Sequence, residues 1–195
     1  AALLFGAVVT LLHWLRPDLS YIENYVSEYA NGPWGMLFSA SSFVHGLGNL
    51  AVAAGLWIAM LRSRLGRCGA ALFGFAAIGV LIAATYSTDT NSAPPTLSGE
   101  IHQYAAFSSF LVEAAALCLL AVAFSRLPIW RSFVPVTIGL TTLGALALAA
   151  LLVSRTVGSS PGVWERVALV AFVGWELLAA LRLAGPKIVP SGYPA

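Results

Sequence analysis

The chain has 195 residues, of which 59% are hydrophobic and only 9% are charged. Soluble domains carry about 25% charged residues, so this composition excludes an ordinary water-soluble enzyme and a disordered chain. The net charge of +2 is too small for a nucleic-acid-binding protein, and no nucleic acid is expected as a partner. The composition is that of a protein surrounded mostly by membrane lipid.

Six apolar runs follow one another along the chain. They cover about 1–15, 34–61, 68–86, 101–124, 133–153 and 162–183. A membrane-spanning helix needs about 20 apolar residues, and lipid offers free backbone groups no hydrogen-bond partner. We therefore predict an all-α transmembrane bundle of six helices over residues 1–185, followed by an extended cytoplasmic tail, 186–195. The first run is short, as expected if residues before Ala1 are missing.

Capping and interfacial side chains mark the ends of these runs. Ser98 is predicted to cap the fourth helix and Ser160 the sixth. Four tryptophans near run ends are expected to anchor the bundle in the membrane interface. They are Trp34, Trp57, Trp130 and Trp164. Cys68 and Cys118 lie in apolar stretches and are expected to be small buried side chains outside any disulfide framework.

The charges sort the connecting segments into two sets. One set carries seven cations and no acid: Arg62, Arg64, Arg67, Arg126, Arg131, Arg182 and Lys187. The other carries three cations and most of the acids: Arg16, Arg155, Arg166, Asp18, Glu23, Glu28, Asp89, Glu100 and Glu165. Because cytoplasmic loops are enriched in Lys and Arg, the first set is predicted to be cytoplasmic. Both termini then lie in the cytoplasm, and the loops 16–33 and 87–100 face outward.

Four of the predicted helices each present one polar or small-residue face. The members are Ser39, Ser42, His45 and Asn49 in the second run, His102, Ser109 and Glu113 in the fourth, Thr137, Thr141 and Gly144 in the fifth, and Glu165 and Glu176 in the sixth. We expect these faces to turn inward toward one another. The hydroxyl groups are expected to hold helices together. Glu113 and Glu176 are either protonated structural groups or groups that handle a proton or ligand, because a charge inside the bilayer is unfavourable.

Carboxylates and imidazoles gather at the predicted outer boundary. They are Glu28, Asp89, Glu100 and His102, with His13 at a similar level. Such groups can bind a divalent metal or act as general acid and base, and Asp89 and His102 are the candidate ligands. Their spacing matches no compact metal motif, and an ordinary acidic surface is the alternative. His13, His45 and His102 could also be axial ligands of a haem or pigment, although no haem attachment motif is present.

Two segments carry a family resemblance. The first is Tyr21–Glu28 (YIENYVSE), followed by a Gly and Pro break and a new span. The second is Asp89, a polar loop, and then Gly99–His102 (GEIH), which opens the next span. With six short-looped spans, this layout resembles the DUF998 family of bacterial and archaeal membrane proteins of unknown function. The family's Ser-Glu pattern falls on Ser27 and Glu28. Its Asp and Gly-x-x-His patterns fall on Asp89, Gly99 and His102.

The chain departs from the family pattern at two places. Tyr29 and Ala30 stand where the family usually has Leu-Gly, and Ser87 and Thr88 stand where a Pro often precedes the Asp. These changes affect loop shape and leave the charged groups in place. The resemblance implies the cytoplasmic membrane of a prokaryote and a shared outer site, and it supplies no reaction.

Three functional hypotheses follow. The first is a binding or accessory protein with an outward-facing polar pocket, for lipid head groups or as a subunit of a larger membrane complex. Its predicted lining is Ser27, Glu28, Asp89, Glu100 and His102, with His45, Asn49 and Glu113 as the floor. The second is a lipid hydrolase or transferase with Asp89, His102 and Glu28 as catalytic candidates, which requires Asp89 and His102 to be within hydrogen-bond or common-ligand distance. The third is a haem- or pigment-carrying subunit. No motif implies a cofactor, and membrane lipid is the expected partner.

Overall fold

The computed structural model describes residues 1–90, 94–157 and 159–185, which form six α-helices and no β-strand. The α-helices are α1 (Ala2–Leu15), α2 (Gly35–Ala59), α3 (Arg64–Thr85), α4 (Leu97–Ser125), α5 (Val134–Val157) and α6 (Pro161–Ala184). Two short 3-10 helices, Val26–Ala30 and Pro128–Phe133, precede α2 and α5. The all-α prediction is confirmed. The predicted tail, 186–195, lies outside the described residues.

Helices α2 to α6 are each long and apolar enough to cross a membrane. Helix α1 is apolar but has 14 residues. At about 1.5 Å per residue its length is below the roughly 30 Å of a bilayer's hydrocarbon core. Five candidate spans and one shorter apolar helix make the chain a multi-pass membrane protein.

The loops gather at two ends of the bundle. We call the acidic end the one formed by segments 16–34, 86–90, 94–96 and 159–160, and the basic end the one formed by 60–63, 126–133 and the last turn of α6. Hydrogen bonds join loops at each end. At the acidic end Gly162 N–H donates to the carbonyl of Ile22, and Asn31 Nδ2 donates to the carbonyl of Thr88 at 3.0 Å. At the basic end Arg182 donates to the carbonyl of Ile129.

Each helix packs on the next along the chain, and α6 also packs on α1 and α2. The main apolar core lies among α2 to α6 and includes Leu56, Phe73, Leu120, Phe172 and Trp175. A second cluster joins α1 to the Val26–Ala30 helix and α2 through Phe5, Leu12, Val26, Tyr29 and Phe38. This ring of helices leaves space along α2, α4 and α6 at the acidic end.

The polar face of α5 packs against α6. Thr137 accepts a hydrogen bond from Trp175 Nε1 at 3.0 Å and donates to the carbonyl of Phe133, just before α5, at 3.0 Å. Gly144 lies against the ring of Phe172. These contacts are the helix-joining role expected for small and hydroxylated residues. The expectation that all four polar faces meet is therefore wrong for α5, while those of α2, α4 and α6 do converge.

Helix α4 begins two residues earlier than the capping pattern predicted. Thr96 is the cap, since its hydroxyl accepts from Gly99 N–H at 3.1 Å. Ser98 instead donates to the carbonyl of Ser87 at 3.0 Å. The reason is Asp89, whose carboxylate binds Thr96 and fixes the start of the helix there. The prediction of Ser98 as cap was wrong.

Two further expectations about apolar side chains need correction. Trp130 is buried, because the Pro128–Phe133 helix folds its ring inward onto Phe124 at a centroid distance of 4.6 Å. It is therefore not an interfacial anchor, whereas Trp34, Trp57 and Trp164 are exposed. Cys68 and Cys118 are free and exposed, since adjacent residues Gly69 and Leu117 occupy the buried positions of their helices.

Candidate functional site

A cleft of about 500 Å³ opens at the acidic end, between α4, the last turns of α5 and the start of α6. We call it the polar cleft. Its polar lining comes from Glu23, Tyr25, Ser27, Thr88, Asp89, Thr90, Glu100, His102, Gln103, Ser154, Arg155 and Glu165. Loop 16–34 and the segment before α4 complete its walls. Charged groups from five separate segments of the chain thus face one space.

A smaller space of about 100 Å³, the deep cavity, lies beyond the polar cleft toward the middle of the bundle. Its ionisable lining is His45, His102, Glu113, Glu165 and Glu176, and its aromatic lining is Phe5, Phe38, Phe110 and Phe172. The two spaces share Ser27, His102, Ala106, Phe110 and Glu165. These five residues, which we call the neck, are the common wall between them.

Asp89 fixes the loop that enters α4. Its carboxylate accepts hydrogen bonds from the backbone N–H and the hydroxyl of Thr96, both at 2.8 Å. These bonds hold the pKa of Asp89 below its usual range, because they stabilise the charged form. The carboxylate lies directly against Gly99, where an added Cβ would overlap it. Asp89 thus lines the polar cleft, while its hydrogen bonds go to Thr96 at the end of its own loop.

His102 stands in the neck and is held by backbone groups. Its Nδ1 lies 2.8 Å from the carbonyl oxygens of both Ala83 and Tyr86. A proton on Nδ1 satisfies these two acceptors, which makes Nε2 the acceptor nitrogen. Among the described residues, no hydrogen bond joins His102 to Asp89, the contact that the hydrolase hypothesis requires.

Glu28 is buried in loop 16–34 and does not line either space. Its two carboxylate oxygens accept from Tyr25 N–H at 2.9 Å and from Asn24 Nδ2 at 3.0 Å. These bonds cap the Val26–Ala30 helix. Ser27, its neighbour, lines both spaces. The structure therefore places Ser27 at the site and Glu28 behind it.

A buried polar cluster lies at the depth of the deep cavity. Glu176 accepts from Asn49 Nδ2 at 2.7 Å, and its other oxygen is 2.5 Å from His45 Nε2. The His45 ring stacks on Phe5 at 4.7 Å. Glu113 is equally buried, and its Oε1 has no hydrogen-bond partner in the described part of the chain. His45 and Glu113 line the deep cavity, and Asn49 contacts it through Glu176.

His13 lies outside both spaces and joins α1 to α6. Its Nε2 accepts from Arg166 Nε at 2.9 Å, and its Nδ1 donates to the carbonyl of Val9 at 2.6 Å. The same guanidinium donates to the carbonyl of Asn24 at 2.9 Å. Use of His13 as an axial ligand would break one of these bonds. The described residues also contain no group of three or more His, Cys, Asp or Glu side chains arranged to hold a metal ion.

The comparison with protein families supplies the decisive observation. The model described as "Protein of unknown function (DUF998)" matches residues 1–182. The chain belongs to the DUF998 family. The match spans all six helices, so every candidate residue lies within the DUF998 region. No curated protein and no solved structure matches the chain.

The residues that follow the DUF998 pattern have different tasks in this structure. Asp89 and Gly99 form one contact that sets the start of α4. His102, one turn further along α4, reaches the neck with Ser27. Glu28 shapes the loop that presents Ser27. Four of the five thus line the polar cleft, and the fifth supports it.

Sequence reasoning left Glu165, Arg155 and Glu176 out of the predicted site. Glu165 is buried in the neck and accepts a hydrogen bond from Val26 N–H. Its spacing of eleven residues from Glu176 was a usable signal, since it places both on one face of α6. Arg155 lines the polar cleft, and it donates to the side-chain oxygen of Gln103 when the Gln103 amide is oriented with that oxygen toward the guanidinium. No sequence pattern links Gln103 on α4 with Arg155 on α5, because these two helices meet only in the folded chain.

Proposed function

We propose that this DUF998 protein binds the head group of a membrane lipid in the polar cleft, in the cytoplasmic membrane of a prokaryote, with the acidic end outward. The observation that carries the proposal is the position of a 500 Å³ polar space at the helix ends, the level at which head groups lie in a bilayer. Ligand sites typically measure about 300–1,000 Å³. Contact with lipid is enough to explain the exposed apolar faces of the helices. That the protein is a subunit of a larger membrane complex therefore stays a prediction.

The charges of the polar cleft favour a zwitterionic head group with an amine. Glu23, Asp89 and Glu100 line it and attract a cation. Arg155 is the matching group for a phosphate, because a guanidinium forms paired hydrogen bonds with phosphate oxygens. A head group with only negative charge would meet four carboxyl groups, including that of Glu165, and one guanidinium. Phosphatidylethanolamine is therefore expected to bind better than phosphatidylglycerol.

The experiment compares these two lipids on the purified protein. Native mass spectrometry counts lipid adducts formed with phosphatidylethanolamine and phosphatidylglycerol of identical acyl chains. We expect more adducts with the first lipid, and fewer in Arg155→Gln. Arg126→Gln removes a cation at the basic end and should behave as the unmodified chain. Equal adducts with both lipids in the unmodified protein would refute the proposal.

The hydrolase or transferase hypothesis is less well supported by the same residues. Asp89 is bonded to Thr96 and His102 to backbone carbonyls, so neither orients the other as a catalytic pair requires. The haem or pigment hypothesis draws on three histidines of which one, His13, lies outside both spaces. Lipid binding needs no such pairing.

A further inference from the structure

Glu113 Oε1 is a buried acceptor without a donor. The Glu113 side chain is 4% exposed, lines the deep cavity, and has no hydrogen-bond partner for this oxygen among the described residues. A buried polar atom left without a hydrogen bond destabilises the fold. A carboxyl group in an apolar interior either holds a proton or, when ionised, is stabilised by a positive charge beside it. The deep cavity therefore suits a group that supplies both a hydrogen-bond donor and a positive charge.

The polar neighbours of Glu113 already use their own donors. His45 and Asn49 are both bound to Glu176. The hydroxyls of Ser42 and Ser109, which line the same cavity, donate to backbone carbonyls of their own helices. Glu176, the carboxyl group next to Glu113, can share a proton with it while the cavity is empty, and a cation in the cavity takes the place of that proton at Glu113 Oε1.

The rest of the lining defines what that occupant is. Four phenylalanines line the cavity: Phe5, Phe38, Phe110 and Phe172. Aromatic faces attract cations within about 6 Å of the ring centre, and such sites are typical of ammonium ligands. A metal ion needs several oxygen, nitrogen or sulfur ligands, and the described residues offer no such group. An ammonium ion with small alkyl substituents suits a carboxylate and aromatic walls together.

We propose that the deep cavity is a binding site for a small organic ammonium ion, with Glu113 as its anionic partner. The ion donates an N–H to Glu113 Oε1, and its alkyl part contacts the phenylalanine rings. A water molecule occupies about 30 Å³ in the liquid, so a cavity of about 100 Å³ accepts a cation of a few heavy atoms. The route runs from the polar cleft through the neck, and the carboxylates at the acidic end raise the local concentration of cations.

The test uses the full chain in a mild detergent, without added phospholipid, and methylammonium chloride as the probe. Isothermal titration calorimetry at constant ionic strength is expected to show saturable binding of methylammonium and none of sodium. Glu113→Gln keeps the shape of the side chain and removes its charge, and it should weaken binding by about tenfold or more, as expected on losing a hydrogen bond to a charged group. Asp18→Asn removes a carboxylate outside both spaces and should leave the affinity unchanged.

Ala84→Leu provides a second variant that does not touch Glu113. Ala84 lines the deep cavity and not the polar cleft, so the larger side chain should reduce the space and weaken binding by a similar factor. This variant decides the question if Glu113→Gln does not fold. Equal heats with sodium and methylammonium, or unchanged affinity in the variant that folds, would overturn the proposal. Since methylammonium has neither phosphate nor acyl chain, this result is independent of whether the polar cleft binds lipid.

Discussion

The carboxylate of Asp89 connects a loop to a helix start, and this contact depends on its charge. Both oxygens accept from Thr96, and these bonds lower the pKa of Asp89. A carboxyl group with a lowered pKa in the folded state stabilises the fold above its unfolded pKa. That contribution is lost as the pH falls through the folded pKa.

We therefore expect acid to remove the contribution of the ionised Asp89 carboxylate to the stability of the fold. The Asp89→Asn variant has no such contribution at any pH. The melting temperature of the unmodified protein should fall toward that of the variant as the pH drops from about 6 to about 3. Thr96→Val removes one of the two donors and should make this pH dependence shallower. Parallel profiles of melting temperature against pH for the unmodified protein and Asp89→Asn would contradict the role given to this carboxylate.

Glu28 is expected to contribute to stability and not to lipid binding. Glu28→Gln replaces one of two acceptor oxygens with an NH₂ group that faces a donor, either Tyr25 N–H or Asn24 Nδ2. We expect a loss of about 1–3 kcal/mol in the free energy of unfolding. The preference for phosphatidylethanolamine should persist in the folded fraction, measured by native mass spectrometry. A stable variant that loses this preference would place Glu28 in the site after all.

The sequence pattern indicated Ser27 and Glu28 together but could not separate their roles. Adjacent residues in a 3-10 helix point in different directions, and only the folded loop decides which side chain faces the polar cleft. Asp89 and His102 were found because carboxylates and imidazoles gather at the predicted outer boundary, and the family pattern marks them again and adds Gly99. Glu165 and Arg155 were missed because their neighbours come from other helices, and spacing within one helix identifies a face without naming what it contacts.

At the scale of helices, the contact between α5 and α6 depends on the absence of a side chain at Gly144. A Cβ there would lie 2.6 Å from Phe172 Cζ, and the ring itself is fixed in the main core. Gly139, on the same helix, has open space around its would-be Cβ. The two glycines therefore form a matched pair for testing how closely these helices pack.

Gly144→Ala is expected to destabilise the protein by about 1–3 kcal/mol, the usual effect of overpacking a core. Gly139→Ala should be neutral or slightly stabilising, since alanine favours a helix over glycine. Both effects can be measured as shifts in thermal unfolding in detergent. An equal effect of the two substitutions would mean that α5 and α6 are not in close contact at Gly144.

The helices were predictable from hydropathy, because an apolar segment that crosses lipid must form its backbone hydrogen bonds within itself. Which helices contact one another was not predictable in this way. The polar faces of α2, α4 and α6 converge as expected, while that of α5 turns to α6 through Thr137 and Trp175. Apolar side chains outside the polar faces have the same affinity for lipid as for protein. The sequence therefore could not indicate that Trp130 is buried and Cys68 exposed, the reverse of what was predicted.

For the whole molecule, the distribution of charge predicts orientation. Seven cations and no acid accompany the basic end and the chain beyond it, so this end is expected in the cytoplasm. In a Cys68→Ser, Cys118→Ser background, Ser159→Cys at the acidic end should react with a membrane-impermeant maleimide on intact cells. Leu61→Cys at the basic end, which leaves every charge in place, should react only after permeabilisation. Both positions are exposed, so access depends on the side of the membrane. The opposite labelling pattern would invert the topology and place the polar cleft on the cytoplasmic side.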